Sequence, residues 1–115
     1  MAVVTLEIMI IKPEKREEFH QNWERFQVLM KKTGLIKSTR LWVDGFSGLL
    51  LEPLSGYKYY AMTEFENISA NEEMHKKLAE ESSEEYREFE RQLFEQSIPN
   101  TGKCLIMTDD FVRHI

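Results

Sequence analysis

The sequence predicts an α+β fold with the element order β-α-β-β-α-β, and two observations carry that reading. Two stretches share one grammar, an apolar strand, a turn, a long amphipathic helix and a returning strand. Val3 to Ile11 runs into the helix after Pro13, and Tyr57 to Glu66 into the helix after Ser69. The first strand is also apolar on both of its faces, as expected of a central strand. This order is the split βαβ, or ferredoxin-like, pattern. Right-handed crossovers then place both helices on one face of an antiparallel sheet ordered 4-1-3-2.

In the first strand Val4, Leu6, Ile8 and Ile10 form one apolar face, and Val3, Thr5, Glu7, Met9 and Ile11 the other. Glu7 is the exception. Pro13 suits a first helical turn, where its missing N–H has no partner to lose, and Glu14, Glu17 and Glu18 favour the positive helix N-terminus. Phe19, Trp23, Phe26, Met30 and Thr33 recur at spacings of three and four and form the inward stripe of a helix from about Pro13 to Thr33. Gly34 sits where a left-handed cap residue belongs. Ile36 to Val43 is the second strand, with Ser38, Arg40 and Trp42 on one side and Lys37, Thr39, Leu41 and Val43 on the other. Leu49, Leu50 and Leu51 lie in a long connection bracketed by turn residues. They extend a hairpin, cover the core edge or meet another subunit.

The third strand, Tyr57 to Glu66, puts Tyr59, Ala61, Thr63 and Phe65 on one face and Tyr60 and Met62 on the other. Ser69 with Glu72 reads as a capping box for the second helix. Ser82-Ser83-Glu84-Glu85 repeats that signature in mid-run, which predicts two pieces, near Ala70 to Glu81 and Ser83 to Gln96. Met74, Leu78, Tyr86, Phe89, Leu93 and Phe94 are expected to point inward. Lys103 to Asp109 is the fourth strand, followed by an apolar-tipped tail carrying His114.

At 115 residues, with 42 % hydrophobic and 30 % charged residues, the chain fits a single domain spanning 1–115. The net charge of -5 is concentrated in the Glu-rich stretch from Glu64 to Glu95, which would repel a phosphate backbone, so nucleic acid is not an expected partner. Apolar runs such as Ile8 to Ile11 are far short of the roughly 20 residues needed to span a bilayer, and no membrane association is expected. Nothing at the start resembles a signal peptide, and a lone Cys104 cannot form an intramolecular disulfide, so the expected location is the cytoplasm. In strand four Cys104 is expected to act as a small buried hydrophobe.

One sheet face is left bare by this topology, yet strands one and three are apolar on both sides. Covering that face with a second copy is the economical solution, and a homodimer is expected. At this point the chain resembles the dimeric α/β-barrel superfamily, in which two ferredoxin-like protomers pack sheet to sheet. The carriers are the opening strand running into Lys12-Pro13-Glu14-Lys15-Arg16-Glu17-Glu18-Phe19, the strand ending Thr63-Glu64-Phe65-Glu66-Asn67, and the split helix around Ser82-Ser83-Glu84-Glu85-Tyr86. These are similar to parts of antibiotic-biosynthesis-monooxygenase-like and NIPSNAP-like members. Many monooxygenase-like members have Trp where Phe65 closes the third strand and His where this chain has Glu84 and Glu85. The haem-degrading branch pairs a strand-one Asn with a helix Trp and His, whereas this chain has Glu7 in strand one and His75 in the earlier helical piece. The resemblance implies fold and assembly, and no catalytic set carries over.

The candidate pocket residues are Arg40, Trp42, Trp23, Tyr60, Tyr86, His75 and Glu64. Arg40 shares a strand face with Trp42, and an interior guanidinium there needs a carboxylate, Glu7 or Glu64, or an anionic ligand. Trp23, Trp42, Tyr59, Tyr60 and Tyr86 would line an aromatic cavity between helices and sheet, against core packing as the simpler role. His75 and His20 border the core stripes, where a histidine is either solvated or a proton shuttle. There is no His-x-x-x-His, Cys pair or Gly-rich phosphate loop, so no metal and no cofactor is expected. Two readings follow. One is a homodimer resembling cofactor-independent monooxygenases that act on a flat aromatic or quinone-like compound. The other is a non-catalytic dimeric binding or interaction module.

Overall fold

Strand β1 (Val3–Ile11) is the axis of the sheet, paired antiparallel with β3 (Tyr57–Phe65) on one side and β4 (Lys103–Thr108) on the other. Strand β2 (Ile36–Asp44) closes the far edge against β3, so the order is β2-β3-β1-β4, the expected 4-1-3-2 read in reverse. This is a computed structural model, and it describes residues 3–44, 56–99 and 102–108. The triple-leucine connection and His114 lie outside the described residues.

Alternation along β1 and β3 decides which face carries the core. Val3, Met9, Ile11, Tyr59, Ala61 and Phe65 are all buried, whereas Val4, Leu6, Ile8, Ile10, Tyr60 and Met62 are only half-buried. The first set lies under the helices. A short 3-10 turn (Pro13–Lys15) leads into helix α1 (Arg16–Lys32), which buries Phe19, Trp23, Phe26 and Met30 as their spacing predicts. The helix ends on Gly34 at φ +71°, a left-handed conformation that costs a residue with a Cβ roughly 1–2 kcal/mol.

The second helical run is in two pieces, α2 (Ile68–Glu81) and α3 (Ser83–Gln96), with the break at Ser82. Its start differs from the expected capping box at Ser69. The side chain of Asn67 caps it, accepting from the Ala70 N–H at 2.8 Å, because α2 begins at Ile68 and places Ser69 inside the first turn. Met74, Leu78 and Phe89 are buried, Tyr86 and Leu93 pack against them, and Phe94 is 75 % exposed. Phe94 follows Phe89 by five residues, about 140° around the helix, so both cannot face inward. Cys104 also departs from expectation: it is exposed on the edge strand β4. Among the described residues no helix is long and apolar enough to cross a membrane.

The chain after α3 is tied back to β1 by hydrogen bonds from Lys12 N to Gln96 O and from Ile98 N to Ile10 O, both 2.8 Å. Gly56 is buried at this junction, where a Cβ would press into the Ile10 side chain and lie 2.9 Å from the Ile11 carbonyl oxygen. Gly56→Ala is therefore expected to cost about 1–3 kcal/mol through overpacking against backbone that cannot yield. Urea unfolding measures it, and a neutral result would show that the β3 entry is free to move.

Candidate functional site

Glu7 stands opposite Ala61 of β3 and Cys104 of β4, on the sheet face that carries the helices. A carboxylate there loses hydration, and burial pushes the Glu7 pKa above the ordinary carboxylate range. Over this face His75 of α2 meets Tyr86 of α3, with Nδ1 3.0 Å from the phenol oxygen. Eleven residues along one straight helix would separate them by about 16 Å, so the break at Ser82 is what brings them together.

These groups act on one another. Burial raises the Tyr86 pKa, and the negative fields of Glu90 and Glu7 raise it further. Partial desolvation lowers His75, with Glu90 opposing. Burial, then Glu7, raises the Cys104 thiol. Near neutral pH the cluster thus holds a neutral imidazole, a neutral phenol and a carboxyl group whose affinity for a proton has been increased. An imidazole and a carboxyl in those states can exchange protons, a phenol can donate a hydrogen bond to developing negative charge, and a thiol raised above its usual range is a poor nucleophile. Among the described residues no group of three His, Cys, Asp or Glu side chains is placed to hold a metal ion.

The sequence-derived pocket set does not converge. His75 and Tyr86 come together, but Arg40, Trp42, Tyr60 and Glu64 lie on the opposite face of the sheet. The register fixes this: Arg40 pairs with Met62, Trp42 with Tyr60 and Ser38 with Glu64, while the buried Ala61 and Tyr59 pair with Leu41 and Val43. Arg40, Trp42 and Glu64 line a shallow recess of about 190 Å³ there, together with Val4, Ser38 and Met62. A site between sheet and helices beside Arg40 is therefore corrected, and Glu7 cannot be its partner. Strand parity separates them. Trp23 is buried among Phe19, Phe26 and Phe89, in the core role that its helical spacing also allowed.

One polar cluster escaped the sequence reading. The buried Tyr59 hydroxyl accepts from Arg16 Nε at 3.0 Å and lies 2.5 Å from His20 Nε2, with the Arg16 guanidinium 4.3 Å over the Tyr57 ring. Arg16 can only donate, so the Tyr59 oxygen accepts from it, and the donor and acceptor roles between Tyr59 and His20 follow the imidazole tautomer. The i, i+4 spacing of Arg16 and His20 places them on one helix face, and that was the available signal.

No family model matches the chain, and no curated protein matches it. Solved structures do. SnoaB from Streptomyces nogalater, described as a cofactor-independent oxygenase, superposes at TM-score 0.64 with 15 % identity over 93 % of this chain and 91 % of its own. A NIPSNAP family protein from Agrobacterium tumefaciens gives 0.64 with 18 % identity over 95 % of each chain. A dimeric ferredoxin-like protein of unknown function from Jannaschia gives 0.67 with 9 % identity over 94 % of this chain and 99 % of its own. The chain therefore has the ferredoxin-like fold that antibiotic-biosynthesis-monooxygenase-like, NIPSNAP and dimeric ferredoxin-like proteins share.

Proposed function

We propose that the protein is a homodimer that binds a flat aromatic or quinone-like compound against the helix-covered sheet face and oxidises it with molecular oxygen, without a cofactor. The observation that carries this reading is the His75–Tyr86 hydrogen bond on the face that holds Glu7. Such chemistry needs a base to form a carbanion or phenolate, a donor to hold the resulting oxyanion, and a dry site. Glu7 or His75 takes the proton, and Tyr86 donates to the oxyanion. The electron-rich anion reduces oxygen, a C–O bond forms to a peroxide, and protonation with loss of water leaves a new carbonyl. One CH₂ and one O₂ become one C=O and one H₂O. The similarity in fold to SnoaB supports the reading.

The dimer rests on the other face. The molecule measures 41 × 39 × 20 Å, and 20 Å is the depth of one helix layer on one sheet, so among the described residues no element covers the second sheet face. Its Cα radius of gyration of 14.9 Å exceeds the roughly 13 Å of a compact domain of this length.

Oxygen uptake with anthrone as probe tests the reaction. The expected result is one O₂ consumed per anthraquinone formed, above spontaneous autoxidation. Binding of anthrone without any acceleration would overturn the oxygenase reading and leave the non-catalytic binding module.

A further inference from the structure

We infer that Arg40 of one copy pairs with Glu64 of a second copy, and Glu64 with the second copy's Arg40, across the bare sheet face. The inference rests on the homodimer proposed above and names the contact that sets its register.

Arg40 and Glu64 are diagonal neighbours on that face, since Arg40 stands opposite Met62 and Glu64 opposite Ser38. They share the recess of about 190 Å³, yet neither side chain makes an ion pair or hydrogen bond to any described residue. Their surroundings are apolar: Val4, Leu6, Ile8 and Ile10 run down β1, Met62 lies between the two charges, and Trp42 is 45 % exposed beside them. A second copy covering this surface would seal both charges away from water, and a sealed charge without a counter-ion is strongly destabilising. Two further cations stand on this face, Lys58 of β3, which lies 5.8 Å over the Tyr60 ring, and Lys103 of β4, opposite Ile8 at the far side of the sheet.

Symmetry supplies the counter-ions. In a two-fold interface, a contact from residue i to residue j is accompanied by one from j to i, so a patch carrying one Arg and one Glu is complementary to itself. Arginine suits the role, because its planar fork meets a carboxylate with two parallel hydrogen bonds and it sheds water more easily than lysine. The recess between the two side chains gives the incoming pair room.

Sedimentation of the full chain at micromolar concentration tests the pairing. The native protein is expected at about twice 13.7 kDa. Arg40→Glu and Glu64→Arg are each expected to weaken self-association on the order of 100-fold. An equimolar mixture of the two should recover the dimer, because each new charge then faces its opposite across the interface. Far-UV circular dichroism checks that the variants fold. Should either charge reversal misfold, Arg40→Gln and Glu64→Gln give the same reading through a reduced salt dependence of association. A monomeric native protein would overturn the dimer itself. A native dimer that both reversals leave intact would overturn the Arg40–Glu64 pairing alone. If the mixture stays monomeric while the doubly reversed chain dimerises, the pair forms within each copy, and the cross-copy assignment is wrong.

Discussion

Replacing Glu7 by glutamine is expected to lower kcat for anthrone oxidation by about a hundred- to ten-thousandfold, the usual cost of losing a general base. At neutral pH it is also expected to make the protein more stable. Both effects have one origin. Burial raises the Glu7 pKa, so the fold prefers the protonated carboxyl. The contribution of a group with a raised pKa is fully present below its unfolded-state value and is lost as pH rises through its folded-state value. Native stability should therefore fall as pH climbs out of the ordinary carboxylate range toward neutrality, while the glutamine variant stays flat across that window. Urea unfolding at about pH 4 should give similar midpoints for the two proteins. At about pH 8 the variant should lead by on the order of 1 kcal/mol, the size typical of relieving a functional strain. Stability curves that run parallel from acid to alkaline pH would remove Glu7 from the base role. A buried carboxyl that costs the fold at working pH, and whose field reaches Tyr86, is what the proposed base would look like.

Strand parity made most of this fold legible. The helical stripe Phe19-Trp23-Phe26-Met30, the cap at Gly34 and the break at Ser82 all follow from local patterns, and each is present. The helix-facing side of β3 was not readable, because Tyr59, Ala61 and Phe65 on one side and Tyr60 and Met62 on the other are both largely apolar, and only burial under the helices tells them apart. What parity could not say is which side of β2 joins that face, because Arg40 and Trp42 share one side and Leu41 and Val43 the other, and either is an acceptable edge-strand face. The pairing register decides it, and register is a tertiary quantity. Asn67 was missed as a cap for a related reason. Asn and Ser both satisfy an exposed helix N–H, and only the angle at which β3 delivers the chain selects between them. In the Arg16–Tyr59–His20 contact the i, i+4 spacing of Arg16 and His20 was legible, but their tyrosine partner lies about forty positions away and no local signal names it.

Phe89→Ala is expected to destabilise the protein by about 3–4 kcal/mol, whereas Phe94→Ala, in the same helix, should stay within about 0.5 kcal/mol. Phe89 is 6 % exposed and stacks on Phe26 with ring centroids 3.9 Å apart and planes 5° from parallel, while the Trp23 ring meets it edge-on at 5.8 Å. Removing that ring leaves a cavity bounded by two helices that are also joined by Asn22, whose side chain donates to the Phe89 carbonyl at 3.2 Å. The backbone tie limits how far α3 can sink into the space, so the cavity penalty adds to the lost transfer energy. The melting temperature should fall by more than about 10 °C. Catalysis should suffer beyond the loss of folded protein, because Phe26 also stacks on Tyr86, at 6.0 Å and 9°, and a loosened Phe26 frees the phenol that His75 holds. Measured well below the melting point, anthrone turnover should drop in Phe89→Ala and be unchanged in Phe94→Ala. Equal melting temperatures for the two variants would mean that α3 presents a different face to the sheet, and the placement of Tyr86 over Glu7 would fall with it.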